Sequence, residues 1–274
     1  MIRRSRRWPG EEEGARPLIV ATYNIHTCVG VDRRYDPDRI VAVLRELQAD
    51  IIGLQEVDAR RRLNRPMDQW DYFAAAMGFH AVAGANIGGH RGRFGNALLT
   101  RFPVRAVRHI DLSVGGYEPR GAIVAELLAD DGPLLVVVTH LGLRAAERRL
   151  QIPRLLDGLL DGSTATEALL VLGDLNEWRG RRGGVSTLDR RLGSAPAPRT
   201  FPSWMPVLPL DRIYAAGSIA LRGVMVHRSA LARIASDHLP LRGAIAWGQR
   251  SGEAIRAPRG RDGSAAKPRR RRSE

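Results

Sequence analysis

A chain of 274 residues, 44% of them hydrophobic, is long enough to bury a substantial core as one large α/β or layered β domain. Its single cysteine, Cys28, excludes an intramolecular disulfide, and no apolar run approaches the roughly 20 residues that a bilayer-spanning helix needs. The formal net charge is +14 and every basic residue except Lys267 is an arginine, which suits an anionic partner, either nucleic acid or an anionic membrane surface, and equally suits solubility tails with no specific partner.

Residues 1–16 carry five arginines and three glutamates. Their composition predicts disorder, and no apolar stretch follows the basic start, so export is not expected and a cytoplasmic location is the default. Leu18 to Tyr23 reads as a buried strand closed by Asn24, Ile25 and His26, with Cys28 beyond it behaving as a small hydrophobe. Asp36, Pro37 and Asp38 supply an N-cap, a first-turn proline and a first-turn acid. Ile40, Val41, Val43, Leu44 and Leu47 then recur at helical spacing. Asp50 to Glu56 reads as a second buried strand with Gln55 and Glu56 at its end. An unpaired carboxylate there would be costly to bury, so Glu56 must face a cation or solvent.

A polar, arginine-rich segment from Arg60 to Gln69 precedes a short helix at Tyr72 to Met77. From Ala81 the pattern changes to strands joined by turns. A loop from Gly88 to Asn96 leads into a strand at Ala97 to Thr100, and Phe102 to Val104 begins the next stretch. Ala122 to Leu128 and Leu134 to Thr139 read as a strand pair turned at Asp130-Asp131-Gly132-Pro133, the second ending on His140. A helix is expected over 145–160, then a strand, Leu169 to Leu172, that delivers Asp174 and Asn176 at its end, two residues apart. A polar loop follows, then a strand from Leu208 to Tyr214 containing Asp211, a piece from Leu221 to Val226, Asp237 with His238, and a final strand to about Trp247. Residues 249–274 form an arginine-rich tail for which disorder is expected; from residue 250 it has nine basic residues against three acidic ones, a net of +6.

Seven strand ends thus carry, or adjoin, a polar residue able to hold a metal or a phosphate: Asn24, Glu56, Asn96, His140, Asp174 with Asn176, Asp211, and Asp237 with His238. Each alone has a structural explanation, as a turn former or a hydrogen-bonded core residue; together they point to one site.

The ordered series Thr22-Tyr23-Asn24, Gln55-Glu56, Thr139-His140, Gly173-Asp174-Leu175-Asn176, Leu210-Asp211-Arg212-Ile213 and Ser236-Asp237-His238 resembles the endonuclease/exonuclease/phosphatase superfamily. The resemblance spans residues 17–248, the expected catalytic domain. It implies a four-layer α/β sandwich, two facing mixed β-sheets flanked by helices, with the site at one edge. It further implies that Glu56, helped by Asn24 and Asp237, holds Mg²⁺, with Mn²⁺ as a substitute. Asp174 would activate the attacking water and Asn176 hold a phosphoryl oxygen. His238, kept charged by Asp211, would face the phosphate, and His140 would approach it from the other side. Arg120 reads as a phosphate binder or a solvated turn arginine, and Asn96 as a residue lining the site or a strand cap. His26 has no assigned role.

Within the superfamily, abasic-site endonucleases open with S-W-N-V-N-G where this chain has Thr22-Tyr23-Asn24-Ile25-His26. His140 is more similar to the deoxyribonuclease and sphingomyelinase branches. The expected activity is hydrolysis of a phosphodiester by a monomer, nucleic acid being favoured. The alternative is a phosphatase or phosphodiesterase of phospholipid head groups or inositol phosphates, and a non-catalytic anion-binding module is the remaining class.

Overall fold

A computed structural model describes residues 17–59, 68–87, 93–160, 168–179 and 184–248. In chain order the first elements are β1 (Leu18–Asn24), α1 (Pro37–Leu47), β2 (Ile51–Asp58), α2 (Gln69–Met77), β3 (His80–Ile87) and β4 (Phe94–Thr100). Next come β5 (Val104–Asp111), β6 (Gly121–Ala129), β7 (Gly132–His140), α3 (Ala145–Leu160), β8 (Ala168–Asp174) and α4 (Val185–Leu192). The chain continues through β9 (Asp211–Gly217), β10 (Ile219–Val226), the short α5 (Ala232–Ala235) and β11 (Leu241–Trp247).

These strands form a six-stranded sheet in the order β10-β11-β1-β2-β4-β3 and a five-stranded sheet in the order β5-β6-β7-β8-β9. Each sheet has a single parallel pair, β1 with β2 and β7 with β8, and all other pairings are antiparallel. A parallel pair needs a crossover, which α1 supplies in one sheet and α3 in the other. The two parallel pairs are what positions the site, because both strands of such a pair end on the same edge.

Three apolar clusters define four layers. Val20, Ile51, Leu98, Ile123, Val138, Leu172 and Ile213 pack between the sheets. Ile40, Val43, Leu44 and Leu47 of α1, with Trp70 and Phe73 of α2, cover the outer face of the six-stranded sheet. Ile152 and Leu155 of α3, with Val185, Leu188 and Leu192 of α4, cover Leu169, Val171 and Tyr214 of the other. The expected sandwich of two facing mixed sheets flanked by helices is the fold observed. The sheets approach so closely at Gly53 that a Cβ there would stand 3.0 Å from the Leu172 Cβ and 3.1 Å from Val138.

Local chemistry explains the elements that the sequence announces. The Asp36 carboxylate accepts a hydrogen bond from Arg39 N, Pro37 opens α1, and the buried residues of α1 are the five apolar positions read at helical spacing. Asp68 caps α2 through Trp70 N, and Gly78 ends it in the left-handed region. Cys28 is buried among apolar side chains, as expected. Among the described residues no helix is long and apolar enough to cross a membrane.

Several element ends shift by two or three residues, as where α2 begins at Gln69 and β4 at Phe94, and three further differences from the sequence reading lie next to the site. Residues 208–210 lie outside the regular strand, which begins at Asp211, since Pro209 has no N–H to give a ladder. β2 runs on past Glu56 to Asp58, but through a bulge between Leu54 and Val57 that turns Glu56 to φ 59°. The loop expected after Asn176 contains α4, whose only apolar signal is Val185, Leu188 and Leu192. Residues 1–16 and 249–274, with the disorder expected of them, lie outside the described residues.

Candidate active site

The C-terminal ends of β1, β2, β7 and β8 meet at one edge of the sandwich, joined by the start of β9 and the turn before β11. Gly173 makes the approach of β7 and β8 feasible: a Cβ there would fall 2.3 Å from the Thr139 carbonyl oxygen, so the residue before Asp174 must be glycine.

Asp174 sits at the centre of the cluster. Its Oδ2 accepts from Asn24 Nδ2 at 3.2 Å and lies 3.6 Å from both His140 Nε2 and His238 Nε2, while Oδ1 accepts from the Asn176 backbone N–H at 2.9 Å. That last bond needs the chain to turn back on itself, and Asn176 does so at φ 50°. With Glu56, two site residues other than glycine are thus held in a sparsely populated backbone region, as functional sites often require.

The two histidines are held in opposite states. His238 Nδ1 lies 3.0 Å from Asp211 Oδ2, and Asp211 is fully buried. Burial disfavours charge on the His238 ring, but Asp211 and Asp174 outweigh it and push its pKa up to about 10. His140 is equally buried, and there burial prevails. With Arg120 against it, its pKa falls to about 3. The donors facing it also disfavour a doubly protonated ring, although a neutral one accepts from only one of them: Arg120 Nη1 lies 3.4 Å from Nδ1 and Asn176 Nδ2 lies 3.0 Å from Nε2. One edge of the site therefore presents an imidazolium and the other a neutral imidazole.

Glu56 and Asn24 adjoin this pair. Asn24 Nδ2 donates to Glu56 Oε1 at 3.0 Å as well as to Asp174, so it bridges carboxylates from the two sheets. Its Oδ1 accepts from His26 N and keeps a second lone pair that could meet a cation. Burial raises the Glu56 pKa, and the negative charge of Asp237 pushes the same way. The buried Glu56 carboxylate, with the Asp237 carboxylate and an amide oxygen near it, is a donor set suited to a hard divalent cation. Among the described residues, Asp174, Asp211 and His238 also form a group that could hold a metal, with ligand atoms within 4.8 Å of one another. His238 Nδ1 is already taken by Asp211, however, and the Glu56–Asp237 side offers oxygen alone.

The remaining expected residues are placed as follows. Arg120 is buried, bound to Glu118 Oε1 at 2.7 Å and facing His140, so the structure places it beside the cluster and out of solvent. Asn96 is buried in β4, where Nδ2 donates to the Gly121 carbonyl at 3.0 Å. It anchors the segment that carries Arg120, and its Oδ1 is buried with no hydrogen-bond partner among the described residues.

Three supporting groups escape a reading from strand ends. Arg148 in α3 is fully buried and donates to the carbonyls of Gly142 and Leu143 and to Glu177 Oε2, tying together the loops after His140 and Asn176. The Phe201 ring packs on His238 with centroids 4.9 Å apart. Ser236 Oγ donates to the Asn24 carbonyl at 2.8 Å and accepts from His238 N. Of these, Ser236 alone had a signal, as the first residue of the Ser236-Asp237-His238 motif.

Comparison with known proteins gives the family. Residues 21–238 fit the model of the Endonuclease/Exonuclease/phosphatase family. The chain belongs to this family. Its members are metal-dependent hydrolases of phosphoric esters, and this chain is such a hydrolase. The chain is 31% identical over 246 residues to the uncharacterized protein YbhP of Escherichia coli (strain K12), covering 82% of this chain and 95% of YbhP. The human Nocturnin catalytic domain with bound sulfate superposes with a TM-score of 0.68 at 21% identity, over 85% of this chain and 95% of that one. A mannosyl-6-phosphatase of Bacteroides thetaiotaomicron VPI-5482 gives 0.68 at 17% identity, over 84% and 100%.

Proposed function

We propose that this hydrolase is a Mg²⁺-dependent phosphodiesterase that works by in-line attack of a water activated by Asp174. The observation that carries this reading is the position of the Asp174 carboxylate, 3.6 Å from two imidazole nitrogens and hydrogen-bonded to Asn24. Asp174 orients the water and takes its proton. The His238 imidazolium, held by Asp211 and backed by Phe201, donates to a phosphoryl oxygen and stabilises charge developing there. Asn176 contributes an amide hydrogen by exchanging its contact with His140 for a phosphoryl oxygen. His140, neutral and backed by Arg120, meets the phosphate or the leaving oxygen from the opposite side. Glu56 and Asp237, with Asn24, would hold the Mg²⁺, which when bound supplies positive charge to the phosphoryl group.

Nucleic acid and phospholipid both present such a diester. The net charge of +14 favours nucleic acid, but nine of the basic residues lie in 250–274, beyond the described residues. Arginines near the site are engaged internally, Arg120 with Glu118 and Arg148 with Glu177. Phospholipid is favoured by a specific observation: large apolar side chains stand exposed on the hairpin whose base packs on His238. The test is a substrate panel with purified protein and Mg²⁺: plasmid DNA, RNA, sphingomyelin, phosphoinositides and the soluble diester bis(p-nitrophenyl) phosphate. Turnover of the soluble diester that stops on chelation supports the chemistry; failure on every diester would overturn it.

A further inference from the structure

The segment 201–208 is a tight hairpin. Phe201 and Leu208 form an antiparallel bridge, Val207 N and Leu208 N both donate to the Phe201 carbonyl, and Met205 N donates to the Pro202 carbonyl. Its tip is pinned as well: Ser203 N donates to the Asp237 carbonyl, Ser203 Oγ to the Arg233 carbonyl, and Arg233 Nη1 to the Trp204 carbonyl. With its backbone so anchored, this hairpin nevertheless holds Trp204 61%, Met205 52% and Val207 45% exposed. The neighbouring helix α5 adds exposed Ile234, whose carbonyl accepts from the backbone N–H of the equally exposed Val31. Soluble chains rarely fix a contiguous set of large apolar groups in water without a partner for them.

We propose that this apolar rim is a membrane-docking surface, which seats the enzyme on an anionic phospholipid bilayer with the active site facing the lipid head groups. The inference rests on the phosphodiesterase reading above and adds the surface from which the diester is taken.

The chemistry of the rim identifies the occupant. Met205, Val207, Ile234 and Val31 have no π face on which a nucleobase could stack and no donor for a phosphate, so contact with nucleic acid would leave them no better off than water. Burial in the zone between head groups and acyl chains removes them from water, and tryptophan with arginine is the usual company of such an anchor. Arg33 and Arg34 are exposed in the turn after Val31, and Arg233 lies against Trp204. These cations complement an anionic leaflet. Position supports the same occupant, since the hairpin's base packs on His238 and its tip is bound to Asp237, so a surface that takes up Trp204 brings its outermost phosphates to the site. Leu143 and Trp178, three residues after His140 and two after Asn176, are exposed as well.

The full chain is tested by co-sedimentation with phosphatidylcholine vesicles, with and without phosphatidylglycerol, beside its turnover of bis(p-nitrophenyl) phosphate in solution. The chain is expected to partition onto the vesicles containing phosphatidylglycerol. Replacement of Trp204 and Met205 together by serine is expected to lower that partition about tenfold or more, with turnover of the soluble diester unchanged. Leu128→Ser, at the far end of β6, is expected to partition as the parent does. The inference is overturned if the parent does not sediment with anionic vesicles, or if the double variant partitions as the parent does. It is also overturned if the double variant loses only single-stranded DNA binding, or only self-association seen by light scattering. A parent inactive on the soluble diester would refute the phosphodiesterase reading while the partition result stood by itself.

Discussion

Asn24, the last residue of β1, donates a 3.2 Å hydrogen bond to Asp174, the last residue of β8, across 150 positions of sequence and between two different sheets. The same amide nitrogen donates to Glu56 at 3.0 Å. One side chain thus sets the separation between the carboxylate proposed for the water and the carboxylate proposed for the cation. Asn24→Ala is expected to lower turnover about tenfold to a hundredfold, since it removes a group that would help hold the Mg²⁺ and that orients Glu56, mainly through a higher Mg²⁺ requirement. Titration of activity with Mg²⁺ checks it, and an unchanged half-saturating concentration would refute the linkage.

Glu56→Gln removes the charge that the burial of this carboxylate reserves for a cation. Its Mg²⁺ requirement is expected to rise about tenfold or more, and chelation by EDTA is expected to abolish the activity of the parent. Activity that persists in EDTA would reject the metal assignment.

The histidines are expected to differ in charge in one and the same sample. His238, its pKa raised to about 10, remains protonated at neutral pH and loses its proton only as pH rises towards that value. His140, lowered to about 3, remains neutral down to acidic pH. Nitrogen-15 NMR of the imidazoles at pH 7 separates the two states. In Asp211→Asn the raising partner of His238 is gone, so its proton is expected to leave at lower pH; an unmoved His238 titration would contradict the pairing.

Arg148 and Glu177 form a buried pair that also holds the Gly142 and Leu143 carbonyls. Truncating one partner leaves the other charge buried alone, so Arg148→Ala is expected to cost about 3–5 kcal/mol of stability. Urea unfolding measures this, and a loss below about 1 kcal/mol, the range of surface ion pairs, would show the pair to be solvated.

Most of the fold was legible because its strands are short apolar runs that end abruptly on polar residues, as at Leu172-Gly173-Asp174. Asp36 and Pro37 announced α1 through cap chemistry that acts locally. What stayed hidden depends on contacts distant in sequence. Nothing near Glu56 signals the bulge that turns it, because that bulge arises in the pairing of β2 with β4. Arg148 looks like any arginine of an amphipathic helix until Glu177 closes on it. Phe201 lies ten residues before Asp211, yet reaches His238 only when the hairpin folds back. Asn96 had two readings, strand cap or site lining, and its bond to Gly121 gives it a third role, anchoring the segment of Arg120.

The most direct measurement is the turnover of bis(p-nitrophenyl) phosphate by Asp174→Asn in saturating Mg²⁺, with its unfolding midpoint recorded beside that of the parent. The expected result is a loss of about a thousandfold or more, within the range that general-base removal produces, with the folded state retained. A folded Asp174→Asn variant that turns the diester over at the parent's rate would contradict the assignment of Asp174 as the group that activates the water.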